Sequence, residues 1–375
     1  MDLQEKLVLN GEWFLPENEQ ERLSGRLIYD PEYGIRLEVH GVFGNKSYPS
    51  YFREHQIING WVEGEKYVTL LSAFLKTPNT VSTYIVSYFF YDIKVNSFDF
   101  LQFNQINIRF SNLEEWVGIS GFKMRSAEDL FNEVEHKEVK VFYKLPQPIT
   151  YPIQSGKLSF SIDFTCTTPI WKIVTTEQSI KQITTFQLKS QQEINFLDLL
   201  KYADYIGNLF SFGIYQYPVI NSVEFVVDDF VVPYFAVQSF MPHSKEKLIP
   251  QQMLFTYSSI HENMPFILDK WFRLCDKLGG ILNLVVEQFV ETGGSHVNSF
   301  LNLAQAAESI HSKLYNHPKN NPTTFRKLIE ELISYIPDEH KDFVRNKISR
   351  NDLTLADRIK ELLKQCSCLC RVHRP

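Results

Sequence analysis

Gln305, Glu308 and His311 stand at steps of three, which sets them along one face of a helix. They are the catalytic candidates of this sequence, with His311 as the group able to carry a proton. His311 also follows the apolar Ile310, a position at the rim of a core. There the alternative is a histidine that only satisfies its own hydrogen bonds. A second cluster lies in the tail, where Cys366, Cys368, Cys370 and His373 offer four soft metal ligands. A structural zinc site usually separates paired cysteines by two residues, so that one turn presents both sulfurs. Here the spacing is one residue and no second cluster exists, so the tail is expected to be unstructured and to hold no metal. Asp228 and Asp229 are adjacent in an apolar strand-like run. Neighbours on a strand point to opposite faces, so a turn or strand edge suits them better than catalysis. The chain has no phosphate-cradling glycine loop, no nucleophile elbow and no His-Glu-x-x-His. No cofactor is expected.

The element that must position His311 is a helix beginning near Asn298. Phe300, Leu303, Ala304, Ala307, Ile310 and Leu314 read as its apolar stripe. Asn320-Asn321-Pro322 breaks it. Phe325, Leu328, Ile329, Leu332, Ile333 and Ile336 form a second stripe, stopped by Pro337. Phe343, Val344 and Ile348 mark a third helix. A fourth, capped by Asn351 or Asp352, contains Leu355, Ile359, Leu362 and Leu363.

Before this the chain reads as many short strands. Arg26–Tyr29 and Ile35–Val39 flank a turn, as do Tyr67–Leu75 and Val81–Tyr91. Gln105–Phe110, Lys137–Tyr143, Leu158–Phe164, Trp171–Thr175, Gln182–Lys189, Ser222–Phe230 and Tyr234–Phe240 follow. Two helices interrupt them, at Ala127–Val134 and Asn195–Asn208. A third, ended by Gly279-Gly280, carries Phe266, Ile267, Lys270, Trp271 and Leu274 on one face. Ile281–Val290 is apolar and fits either type. Gly293-Gly294-Ser295 is the linker candidate. The expected fold is α+β: a β-sandwich-like antiparallel region over 1–292, a helical bundle over 298–365 and a tail over 366–375.

Composition bounds the reading. The 375 residues are 44% hydrophobic, with 30 Phe and 18 Tyr, which favours strands. The net charge is -6. Residues 298–375 hold 13 Lys and Arg against 9 Asp and Glu, a net of +4, which leaves -10 for residues 1–297. The basic balance permits nucleic-acid binding by the helices without demanding it. Five scattered cysteines make no disulfide framework. The acidic, polar start lacks the pattern of a signal peptide, and no apolar run reaches a membrane span. A cytoplasmic protein is expected.

At the His311 helix the chain resembles a known family. The segment Phe300–His311, FLNLAQAAESIH, is similar to the opening helix of the ApeA-like HEPN domain, which runs Phe, apolar, Gln-Ala, Glu, then His. Leu328–Ile336 and Ile348–Asp352 resemble that family's next helices. Gly11–Pro16 (GEWFLP), Gly25–Leu27 (GRL) and Leu37–Gly41 (LEVHG) resemble the start of the ApeA N-terminal domain. Leu113–Trp116 and Leu268–Phe272 fall where that family would have them. The likeness covers nearly the whole chain and rests on the order of loose motifs.

The resemblance implies bacterial anti-phage defence by abortive infection, through a metal-independent endoribonuclease. Such nucleases carry Arg-x-x-x-x-His on the last helix of the bundle. The histidine moves the ribose 2′-OH proton and the arginine holds the scissile phosphate. No arginine in this chain has a histidine five positions on. Arg36 and His40 are four apart in a strand, and Arg371 and His373 are closer. The sequence stops where the motif-bearing helix belongs, so a truncated bundle without nuclease activity is expected. Implied partners are RNA (tRNA or phage transcripts) for a complete helical domain, a phage protein for the N-terminal region, and a second copy of the chain; no membrane is implied. The alternative is a non-enzymatic sensor or binding module whose helices mediate dimerisation. A carbohydrate-binding sandwich with a helical appendage ranks last.

Overall fold

The structure, a computed structural model, describes residues 1–44, 54–77, 79–123, 141–153, 156–167, 179–237, 247–289, 296–315, 317–348 and 350–372, with side chains up to Lys364. The chain divides into two compact units between Phe272 and Arg273. The expected end of the β-rich region, at 292, rests on the Gly293-Gly294-Ser295 linker candidate; helix α4, Met264–Leu278, runs across the division at 272.

The first unit is antiparallel throughout its described strands. Strands β1 (Leu7–Leu15), β2 (Asn18–Asp30), β3 (Gly34–His40), β4 (Glu54–Val62), β5 (Lys66–Thr77) and β6 (Val81–Tyr91) pair in the order 3-2-1-4-5-6. β3 then pairs with the first half of β6, from Ile35 opposite Val86 to His40 opposite Val81, and closes a six-stranded barrel. The second half of β6 pairs instead with β12 (Phe230–Ala236), through Tyr88–Phe90. From there an open sheet continues through β11 (Ile220–Val227), β7 (Gln102–Phe110), β10 (Lys181–Asn195), β9 (Leu158–Thr167) and β8 (Ile149–Ile153). The α+β order is as the sequence indicates. In detail, one continuous sheet, half of it closed, stands where a sandwich of two sheets is expected.

Aromatic and branched side chains fill the barrel. Trp13, Leu37, Val68, Leu70, Tyr84 and Phe89 are fully buried. Trp13 lies across β4 so closely that a Cβ on Gly60 would stand 2.3 Å from its ring, so position 60 excludes a side chain. A buried polar pair is satisfied internally: Thr69 Oγ1 donates to Asn59 Oδ1 at 2.9 Å, and Asn59 Nδ2 donates to Val95 O at 3.0 Å. On the open sheet, α2 (Phe196–Ile214) packs against β7 and β10. Asn195 caps it, accepting from Leu197 N at 3.0 Å. Short helix α1 (Leu113–Val117) buries Trp116 edge-on against Phe186 and Phe210, and its Nε1 donates to Phe255 O at 2.9 Å. Asp228 and Asp229 both take positive φ, 48° and 64°, and form the tight turn between β11 and β12. A short helix α3 (Tyr257–Ile260) precedes α4.

Helix α4 corrects one expected face. The buried positions are Met264, Leu268, Phe272, Cys275 and Leu278, whereas Phe266 is 61% exposed. The expected face includes Phe266 and Trp271 but not Met264 or Cys275; the buried side runs through these two, with half-buried Trp271 at its edge and Phe266 across the helix from it. Gly279 ends the helix at φ 58°, its N–H bonded to Cys275 O at 2.8 Å.

The second unit is helical. α5 (Ile281–Val286) is followed by α6 (His296–Tyr315), α7 (Pro322–Ser334), α8 (Asp338–Ile348) and α9 (Leu355–Val372). α6 packs against α5 and α9, and α7 against α8. Asn321 Oδ1 caps α7, accepting from Thr323 and Thr324. Thr354 caps α9 rather than Asn351 or Asp352: its Oγ1 accepts from Asp357 N at 3.2 Å, while Asp357 Oδ2 accepts from Thr354 N at 3.2 Å. Asn351 instead ties the α6–α7 connection, its Oδ1 accepting from Asn320 N and its Nδ2 donating to Asn320 O. α9 runs on to Val372, so backbone expected to be an unstructured tail from 366 is helical. The side chains of Cys366, Cys368, Cys370 and His373 lie outside the described residues, as do the expected helix at 127–134, the strand at 171–175, most of the strand at 137–143 and the 293–295 linker. No described helix is long and apolar enough to cross a membrane.

Candidate functional site

Helix α6 turns the predicted stripe partly outward. Phe300 and Leu303 are exposed, and the buried positions are Ala306 and His311. The small side chain of Ala306 admits a close neighbour, and His311 takes the place expected of an apolar residue. Of the three candidates at steps of three, Gln305 and Glu308 are exposed and His311 is fully buried. The face runs from solvent into the core, so the three do not share one surface. Glu308 stands 3.9 Å from Arg358 of α9.

His311 is held by residues that the spacing did not mark. Its Nε2 lies 2.8 Å from Glu361 Oε2, on α9. His317, in the connection after α6, places its own Nε2 3.0 Å from the same oxygen. The two imidazoles stand 5.9 Å apart, and Tyr315 stacks at a tilt on His311. The three donor atoms lie within 4.8 Å of one another. The hydrogen bond from His311 is the main influence that holds the Glu361 carboxyl below the usual carboxylate range; desolvation opposes it, and His317 adds to it. His311 Nδ1 is buried and has no hydrogen-bond partner among the described residues. His317 Nδ1 faces Pro318 O at 3.3 Å.

Neighbouring bonds fix this geometry. Lys313 Nζ donates to Leu278 O at 3.1 Å, at the C-terminal end of α4. Lys319 Nζ donates to Asp357 Oδ2 at 2.9 Å, one turn before Glu361. That bond, with those from Thr354, brings the Asp357 carboxyl down to about 2. The arrangement can store a proton or hold a cation between two imidazoles and a carboxylate. Arg358 of α9 is engaged by Glu308 and by Leu353 O. His311-x-x-x-x-x-His317 across a helix end was the available sequence signal, but its partner Glu361 comes from tertiary packing.

In the first unit, a cleft of about 520 Å³ is lined by Glu17, Glu54, His55, Asn96 and Asp99, with Phe98 as its aromatic wall. Its carboxylates make it acidic, in keeping with the charge of residues 1–297.

Family comparison agrees with both units. Residues 9–271 match the model of ApeA N-terminal domain 1, and residues 301–371 match that of the Apea-like HEPN domain. No curated protein and no solved structure matches the chain. The second match reaches into α9 as far as residue 371, into the stretch from 366 expected to be an unstructured tail. The first match alone spans well over half the chain, and the chain belongs to the ApeA-like family, in which an ApeA N-terminal domain precedes an ApeA-like HEPN domain.

Proposed function

We propose that the protein serves bacterial anti-phage defence in the cytoplasm as an HEPN-type protein of the abortive-infection kind. Its β-rich unit senses a phage component, and its helical unit, as encoded in these 375 residues, does not cleave RNA. The two domain matches support the anti-phage HEPN-type reading. One observation carries the reading that the helical unit does not cleave RNA: His311 is fully buried with Nε2 against Glu361, where it cannot reach a ribose hydroxyl. The absence of any Arg-x-x-x-x-His agrees with it. The acidic cleft on the barrel fits a basic protein segment better than a nucleic acid.

The test is direct. Purified protein incubated with tRNA and with phage transcripts should leave both intact. Cleavage that follows the protein through successive columns would overturn the inactive reading. Capture from infected cells should recover a phage protein; recovery of RNA alone would remove the sensor role. A second reading, a non-enzymatic module whose helices pair two copies, is favoured by exposed Phe300, Leu301, Phe343 and Leu363 in the helical unit. A monomer in sedimentation velocity throughout the micromolar range would set that reading aside.

A further inference from the structure

We propose that His311, His317 and Glu361 form a binding site for a divalent transition metal of the zinc class, which fastens the connection after α6 to helix α9. This goes beyond the functional reading above and needs neither RNA nor a phage partner. Two imidazole nitrogens and one carboxylate oxygen are a donor set that such ions take at about 2.0–2.2 Å. Ligands so placed around a tetrahedral ion stand about 3.3 Å apart. Here Glu361 Oε2 is 2.8 Å from one nitrogen and 3.0 Å from the other, and all three atoms fall within 4.8 Å. Small rotations of the exposed members would admit an ion.

The second nitrogen of His317 points the same way. Pro318 O only accepts, so His317 Nδ1 donates to it at 3.3 Å, and Nε2 is the nitrogen turned to Glu361. An Nδ1–H bound to a backbone carbonyl is the usual support of a metal-bound imidazole. The access route is also present. His317 is 47% exposed and Glu361 35%, while His311 is closed off on the core side. An ion can enter from solvent and keep water in its remaining position.

The tail thiols Cys366, Cys368 and Cys370 are the competing ligands, and the test must separate them. Full-length protein stripped of metal is titrated with zinc alone and, separately, with cobalt(II) alone. Expected results are one ion per chain, a raised Tm with zinc, and cobalt d–d absorption without the intense near-ultraviolet band of a thiolate. His317→Ala and Glu361→Gln should each weaken zinc binding at least about tenfold. The Cys366→Ser, Cys368→Ser, Cys370→Ser triple variant should bind as the parent does. His317 lies beyond the helix end and is half exposed, so its removal leaves a folded protein to titrate. The proposal is overturned if zinc neither binds nor raises Tm, if cobalt shows the thiolate band, or if His317→Ala binds unchanged.

Discussion

The two units keep their order by different means. The largest fully buried side chains, among them Trp13, Trp116, Phe89 and Phe210, all belong to the β-rich unit. The helical unit buries few large apolar groups and exposes many: Phe300, Leu328, Leu332, Tyr335, Phe343 and Leu363 stand largely in solvent. What lies deepest in it includes a histidine. The first unit is therefore held by apolar burial, whose strength scales with area. In the second, specific polar contacts join the helices: His311 and His317 to Glu361, Lys319 to Asp357, Asn320 to Asn351. A packed core registers nearly every change at its centre, whereas a polar clasp fails only where one of its few atoms is altered.

The strongest challenge to this contrast is Trp13→Ala, which should cost about 3–5 kcal/mol, read as lost amide-exchange protection across the barrel strands. Gly60→Ala should cost about 1–3 kcal/mol, because the new Cβ meets the Trp13 ring. The double variant should lose less than the sum, since the vacated ring space accepts the methyl. Strict additivity would break the account of the core.

A smaller effect is expected in the helical unit. His311→Ala should cost about 2–3 kcal/mol, from the cavity and from the loss of its bond to Glu361. Exchange should quicken in α6 and α9 while the barrel amides stay protected. A barrel that loosened as much as the helices would erase the distinction between the two kinds of order.

The smallest effect is electrostatic. The bond from Lys319, reinforced by Thr354, places the folded Asp357 carboxyl at about 2, below the value near 4 of an unfolded aspartate. Such a group adds stability above about pH 4 and loses it as pH falls from about 4 toward about 2. Asp357→Asn should thus lower Tm at neutral pH, and the gap to the parent should narrow on acidification through that window. A gap constant with pH would show that Asp357 acts through its hydrogen bonds and not its charge.

Legibility in the sequence followed physics. β5, β6, β7, β9 and β10 were visible because long runs of Val, Ile, Tyr and Phe have no other use. β1 and β4 were not, because their Asn10-Gly11 and Asn59-Gly60 pairs are turn-forming residue types inside a strand. Those glycines are there for close approach: Gly60 makes room for Trp13 and Gly11 for the backbone of Trp61. Barrel closure depends on β3 meeting β6 across 40 residues, which no local pattern encodes. Helix positions in the second unit were legible, and buried Ile333 lies in the stripe expected for α7, but the buried face of α6 was not legible. Apolar periodicity identifies a core only when the apolar side is the buried side, and α6 exposes Phe300 and Leu303 while it buries His311. Glu361 escaped notice because one carboxylate on a polar helix looks like any other until packing sets two imidazoles on it.

Strand β6 has one edge shared between two partners, β3 along its first half and β12 along its second. Side chains alternate along a strand, so a slip of one residue would turn both halves inside out together. The barrel and the open sheet thus carry a single common parity, set in eleven residues. Neither can choose its register alone, and cutting the β-rich unit between them would leave each piece with a raw seam. A change of register in either half must carry β6 as a whole.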